Sequence, residues 1–289
     1  MKRFCVRDLH GPFDARTFAA LASDARIQWR EPLAAPDLAR AGAWLQAHPD
    51  ASLRLYGSAC AQLETMAAES FVPTRVWLDG PRFDELSALP GVLDLTLEGA
   101  PAGLGKLLAA FPVLETLETD FRGAPFELEA LANVPKLRRL SLARTSLRGG
   151  GPRQLPPALA ILELRDVGAD GIDEMLCVEG LRALRLCGIA RLRSIDALTS
   201  RGDLRILALE SLTHLESLRV LASLPRLESL DIAGLWQFSL ADAAVVTSIE
   251  GLRHLAIDIG GRRKNVEIYK KVPLPKPPPF DLRYDLTTS

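Results

Sequence analysis

Apolar residues recur along this chain in a six-residue figure, apolar-x-x-apolar-x-apolar, whose clearest copy runs from Leu137 through Leu140 to Leu142. Leu140 and Leu142 are two residues apart. In an extended strand they share one face, while Ser141 and Ala143 take the other. The figure begins at Val92, Leu114, Leu137, Leu159, Leu181, Leu204, Leu227 and Leu252, so successive starts lie 22, 23, 22, 22, 23, 23 and 25 residues apart. Its last position reads Leu97, Thr119, Leu142, Leu164, Leu186, Leu209, Ile232 and Ile257, with Thr119 alone interrupting the apolar column. Val76-Trp77-Leu78, Leu53-Arg54-Leu55, Ile27-Gln28-Trp29 and Phe4-Cys5-Val6 keep roughly the same beat upstream. One strand per repeat, stacked in parallel, is the arrangement that buries such a figure, because a single copy cannot cover its own leucines.

Between strands the chain returns in a second rhythm. Leu212, Leu215, Leu218, Leu221, Leu224 and Leu227 recur every three residues, as do Ile189, Leu192, Ile195 and Leu198. That spacing suits 3₁₀ turns or one short helix beneath the strands. Leu89-Pro90, Phe111-Pro112, Val134-Pro135 and Leu224-Pro225 end the returns, and Gly149-Gly150-Gly151-Pro152 widens one of them. Near the start, Asp14 and Asp37 are candidate helix caps; the second helix carries Leu38, Ala41 and Leu45 and ends near His48-Pro49.

Leu137 to Leu147 resembles the leucine-rich repeat signature L-x-x-L-x-L-x-x-N-x-L, with Thr145 in place of Asn. The returns resemble the 22–23-residue class of internalin-like proteins. The resemblance implies an α/β leucine-rich repeat solenoid, with a parallel sheet on a concave face and short helices or 3₁₀ turns on the convex face. It also implies a general role in protein recognition. The usual Asn position holds Ala100, Arg122, Thr145, Val167, Ile189, Leu212, Leu235 and Gly260. Without Asn, the turn after each strand must be held by apolar packing or by backbone groups. The reading divides the chain into a helix-richer N-terminal cap over residues 1–50, repeats over 51–259, and a C-terminal cap with a proline-rich tail over 260–289.

Bulk properties narrow the class. Hydrophobic residues make up 48% of the 289 and charged residues 25%, enough for a large core and a solvated surface. A net charge of −1 argues against a dedicated nucleic-acid or anionic-membrane binder. Charges interrupt every Leu-rich segment, and the first residues lack a secretory apolar run. Cys5, Cys60, Cys177 and Cys187 are scattered rather than clustered, which fits a reducing cytoplasm. Richness in Ala, Arg and Leu hints at a bacterial source. Residues 260–289 hold seven basic and three acidic residues, hence +4 against −5 for the remainder.

The strand alternation predicts which side chains face outward. Arg54, Trp77, Thr96, Glu118, Ser141, Glu163, Arg185, Ala208, Asp231 and Ala256 form one column. Tyr56, Asp79, Glu98, Asp120, Ala143, Arg165, Cys187, Glu210, Ala233 and Asp258 form the next. A third includes Arg75, Asp94, Thr116, Arg139, Ile161, Ala183, Ile206, Ser229 and His254. Asp79, Asp94, Glu98, Glu118 and Asp120 are thus expected to form an acidic patch beside Tyr56 and Trp77, a docking surface for a protein partner with basic residues. Arg139, Glu163, Arg165 and Arg185 extend that face. Ile161, Ala183, Ile206, Ala208 and Ala233 make a blander, apolar stretch suited to a second contact.

Signals for chemistry are weak. The turn from Gly99 to Lys106 resembles a phosphate-binding loop but has its first Gly one position early and Leu107 where Ser or Thr is needed. His10, His48, His214 and His254 lack metal-ligand spacing, and no catalytic, cofactor or metal site is assigned. Cys187, with Arg165 and Arg185 nearby, is a candidate reactive thiol. The P-x-x-P spacings over Pro273 to Pro279 suit aromatic-grooved domains, packing along the array, or disorder. The favoured reading is a non-enzymatic protein-interaction module. An immunity- or inhibitor-type protein that occludes a toxin or enzyme stays open, and an enzyme has less support.

Overall fold

The computed structural model describes residues 6–9, 11–13, 16–68, 73–79, 89–149, 155–168 and 170–280. Phe4, Cys5, His10, Asp14 and Gly150 to Pro152, singled out above, lie outside them. The chain forms two compact units, Met1–Leu137 and Arg138–Ser289.

In the first unit, strands β1 (Val6–Asp8), β2 (Arg26–Trp29), β3 (Ser52–Tyr56), β4 (Arg75–Asp79), β5 (Asp94–Glu98) and β6 (Thr116–Asp120) pair in chain order, each neighbour parallel. The outermost ladder strand includes Val6, the one described residue of the Phe4-Cys5-Val6 copy. The register aligns Arg54, Trp77, Thr96 and Glu118 side by side, as the alternation predicts. Inward residues such as Leu53, Leu55, Leu78, Leu95, Leu97 and Leu117 are at most 1% exposed. Thr119, the polar interruption, is itself buried.

Helix α1 (Ala35–Ala47) follows β2, but Asp37 does not cap it. The cap position falls on extended Ala34, and Pro36 supplies the fixed φ of the first turn. Asp37 instead turns inward, where its carboxylate accepts from the Phe13 N–H at 2.9 Å and pairs with Arg40. Helices α2 (Gln62–Ala68) and α3 (Leu104–Ala109) and a 3₁₀ turn at Leu128–Asn133, preceded by the short strand β7 (Pro125–Glu127), form returns. The Gly99 to Lys106 stretch is such a return: α3 buries Leu104, Leu107 and Leu108 under the strands.

In the second unit, β8 (Arg139–Ala143), β10 (Ile161–Arg165), β11 (Ala183–Cys187), β12 (Ile206–Glu210), β13 (Ser229–Ala233) and β14 (His254–Ile257) make an equivalent parallel ladder. A short strand, β9 (Ser146–Arg148), and helix α4 (Ile172–Leu176) lie in its earlier returns. The every-third-residue apolar runs become turns and 3₁₀ segments at Asp196–Ser200 and Arg219–Ser223, with Ile189, Ile195, Leu212, Leu218 and Leu221 buried. A short helix α5 (Leu240–Ala243), capped by a reciprocal Ser239–Asp242 box, precedes β14.

The missing Asn is replaced by backbone. The residue after the strand adopts left-handed φ at Gly57, Gly99, Arg144, Asp166, Gly188, Ser211 and Gly234. Most of these donate their N–H to the last carbonyl of the next strand: Gly99 to Asp120, Asp166 to Cys187, Gly188 to Glu210 and Ser211 to Ala233, at 2.8–2.9 Å. The former Asn positions Val167, Ile189, Leu212 and Leu235 then fold inward and are buried. The turns after β10, β11 and β12 are therefore held by a main-chain bond above and an apolar anchor below.

After β14, helix α6 (Arg262–Lys271) closes the array, within the expected C-terminal cap. It buries Ile268, and the Ile257 N–H donates to the Tyr269 hydroxyl at 2.9 Å. The Leu255 N–H donates to the Pro275 carbonyl at 2.8 Å. Two outward donors of the last strand are thus satisfied by the chain's own terminus, which blunts the edge.

Leu184 is fully buried at mid-ladder. Leu184→Ala is expected to cost about 2–5 kcal/mol, and Leu184→Asp to abolish cooperative thermal unfolding. A soluble Leu184→Asp protein with wild-type Tm contradicts the ladder. At Gly188 a Cβ would stand 2.1 Å from Asp166 Oδ1 in a left-handed backbone, so Gly188→Ala is expected to lose about 1–2 kcal/mol. Gly202, with open space around it, is the control.

Candidate functional site

The outward face of the first unit centres on Trp77. Its strand neighbour Arg54 lays its guanidinium over the indole at 4.1 Å, and Arg26 from β2 does so at 4.4 Å. Arg54 and Arg30 also lie over Tyr56, at 5.0 and 5.6 Å. Cation–π contacts of this kind gain strength where water is displaced. The Tyr56 hydroxyl donates to Asp8 at 3.2 Å, and Gln28 donates to the same carboxylate. Burial, then the Asp8 charge and hydrogen bond, raise the Tyr56 pKa, while Arg54 and Arg30 oppose them. The Trp77 Nε1 is buried and meets no acceptor among the described residues.

The five carboxylates lie on this face as the columns predict, but not as a bare acidic patch. Arg54 pairs with Asp79 at 3.3 Å and Glu98 at 3.6 Å. Arg75 pairs with Asp94 at 3.1 Å, and Arg122 with Glu98 at 3.1 Å. Glu118 is exposed and Asp120 half-buried, and both have partners. Arginines from the preceding or following segment supply the counter-charge. The correction has a simple cause: carboxylates 4.8 Å apart on adjacent strands repel unless a cation is interleaved.

The second unit holds a different arrangement. The Ser141 hydroxyl donates to Glu163 Oε2 at 2.8 Å, Arg185 Nη1 donates to Glu163 Oε1 at 3.2 Å, and Arg185 Nη2 donates to Glu210 Oε2 at 2.6 Å. Glu163 was expected to face a partner. It is buried at 7% exposure, with both oxygens engaged, because flanking Ser141 and Arg185 close over it. Arg165 is exposed and Arg139 and Arg185 are half-buried. The hydrogen bond from Arg185 holds the Glu210 carboxyl below its usual range. Burial, then the Glu210 charge, raises that of Asp231.

Sequence reasoning missed Arg26, Arg30 and Gln28 as members of the first face. The Ile27-Gln28-Trp29 copy was the available signal, since continuing its column places Gln28 beside Arg54. For the tail, packing along the array is one of three readings of the sequence, with no residue placed; Phe280 packs on the Ile161–Ala183 cluster, within the apolar stretch of the later strands. His48 has a local role: it stacks on Trp44 at 4.5 Å and shares a 2.8 Å hydrogen bond with its carbonyl. Among the described residues no group of three metal-type ligands assembles, and no helix is long and apolar enough to cross a membrane.

Parallel strands on a step of 19 to 26 residues in the first unit and 22 to 25 in the second, an apolar spine and short returns define each unit as a leucine-rich repeat solenoid. The chain is similar in structure to an internalin (inlF) from Listeria monocytogenes str. 4b F2365, at 16% identity and a TM-score of 0.48, over 85% of this chain and 73% of that one. No family model and no curated protein matches the chain.

Cys187 is corrected as a reactive thiol. Burial, followed by the Glu210 charge and hydrogen bond, pushes its pKa up from 9.0 to about 11, outweighing Arg185. The raised value keeps the thiol protonated at neutral pH. Alkylation at pH 8 is expected to run about a hundredfold slower than for an unshifted thiol and to accelerate only as pH approaches 11. Mass spectrometry of iodoacetamide-treated protein measures this; rapid labelling of Cys187 at pH 8 contradicts it.

Proposed function

We propose that the chain is a non-enzymatic protein-binding module that engages its partner through the outward face of β3 to β6. The observation that carries this is Trp77 covered by the Arg26 and Arg54 guanidiniums, at 4.4 and 4.1 Å from its ring. Tryptophan and arginine supply most of the energy at protein interfaces, because each offers a wide contact area with a polar handle. Here they are ordered before any partner arrives, so little conformational entropy remains to be lost. Moving a guanidinium aside uncovers more of the indole, whose buried Nε1–H lacks an acceptor among the described residues. Glu118 and Asp120 give the β6 side of the patch an acidic character, which favours a partner with basic residues there. The ladder holds these side chains at fixed spacing, as a recognition surface requires. The reading places the protein in the cytoplasm, where the free thiols Cys60, Cys177 and Cys187 stay reduced.

A photo-crosslinking residue at Thr96 is expected to capture one discrete protein from the source cells, and the same residue at Ala109 on α3 is not. Trp77→Ala is expected to weaken that capture by about thirtyfold, near 2 kcal/mol. Equal capture from both positions, or undiminished binding by a folded Trp77→Ala protein, refutes the reading.

A further inference from the structure

We propose that the outward face of β10 to β13 is a docking groove for an extended proline-rich peptide with a lysine four residues before an aromatic ring. Residues 275–280 of the chain itself occupy it as a displaceable ligand. The occupant is visible. Pro275 accepts from Leu255 on β14, Lys276, Pro277 and Pro279 pass over the strand face, and Phe280 reaches the cluster of Ile161 on β10 and Ala183 on β11. Five residues of polyproline helix span about 15 Å, and the three strand gaps from β14 to β11 span about 14 Å. The segment therefore crosses the strands instead of running along them.

The floor matches that occupant. Ala183, Ala208, Ala233 and Ala256 put one small side chain on each of four adjoining strands and leave a shallow trough. Proline has no N–H, so the segment lies on this apolar floor without stranding donors, and its stiffness lowers the cost of ordering it. Lys276 stands over the carboxylate side, where it and Asp231 share a cavity with Arg185 and Glu210. Ile161 and Ala183 point outward from the sheet yet are 1% and 0% exposed, and Phe280 packs against the cluster they form. The fit is incomplete: an open pocket of about 440 Å³ is lined by both segment and floor, and Lys276, Pro278 and Pro279 are exposed. A peptide in trans with the same chemistry and better filling can replace it. This face uses strands other than those around Trp77, so failure of one reading leaves the other standing.

The probe is a fluorescent peptide with the sequence of residues 272–280, titrated into the full-length chain. Phe280→Ala, which loosens the internal competitor, is expected to bind the peptide about tenfold more tightly than wild type. Adding Ala233→Arg to that chain is expected to abolish binding, and a peptide carrying Ala in place of its own Phe is expected not to bind. Thermal unfolding is followed in parallel; if Phe280→Ala does not fold, Lys276→Glu takes its place with the same expectations. Equal affinity for wild type and the loosened variant, absence of binding to that variant at millimolar peptide, or binding that survives Ala233→Arg overturns the proposal.

Discussion

A leucine on the inner face of one repeat has nothing in its own repeat to bury it. Leu140, Leu162, Leu184 and Leu207 each become fully buried by standing in register with their equivalents on the neighbouring strand. Each is worth roughly 1.5–3 kcal/mol when removed from water, and that gain exists only if the parallel ladder forms. The ladder in turn sets every other placement. Once inward residues are locked, alternation fixes the outward ones, and a slip of one residue would reverse the faces. The left-handed turns after β3, β5, β8 and β10 to β13 belong to the same constraint. Arg144, Asp166 and Ser211 accept a backbone conformation that favours glycine, and the N–H each places against the next strand offsets it.

That dependence explains what could be read from the chain directly. The eight clear figures and their columns are legible because burial demands apolar residues at a fixed step, whatever the partner. The outward columns followed by geometry alone. Charge pairing did not follow. Asp79, Asp94 and Glu98 look like an acidic cluster when read as residue types, but Arg75 pairs with Asp94 within their own column, and Arg54 and Arg122 reach Asp79 and Glu98 from a neighbouring column and a turn. A long flexible guanidinium crosses between columns, so sequence spacing does not report where it ends. Asp37 shows the same limit at shorter range. Its position suits a cap, yet the loop at Phe13, 24 residues earlier, claims its carboxylate. Phe280 was beyond reach because the tail has no period to register it against the ladder.

Two kinds of polar order result. Around Trp77, partly exposed guanidiniums stack on rings and share carboxylates, and any one contact can be traded for another without leaving a bare charge in a dry place. Around Glu163, the carboxylate is buried and every oxygen is used. Removing one partner there would strand a desolvated charge at a cost of about 3–5 kcal/mol.

The contrast decides what each face can offer. The Glu163–Arg185–Glu210 chain ties β10, β11 and β12 together, and a binder that recruited its members would have to repay their existing bonds. Contact on that face is therefore cheapest on the alanine trough and the Ile161 platform beside the ions, the ground on which Phe280 and the proline segment already lie. At Trp77 the polar groups are themselves the accessible surface, so recognition there runs through the rings and guanidiniums.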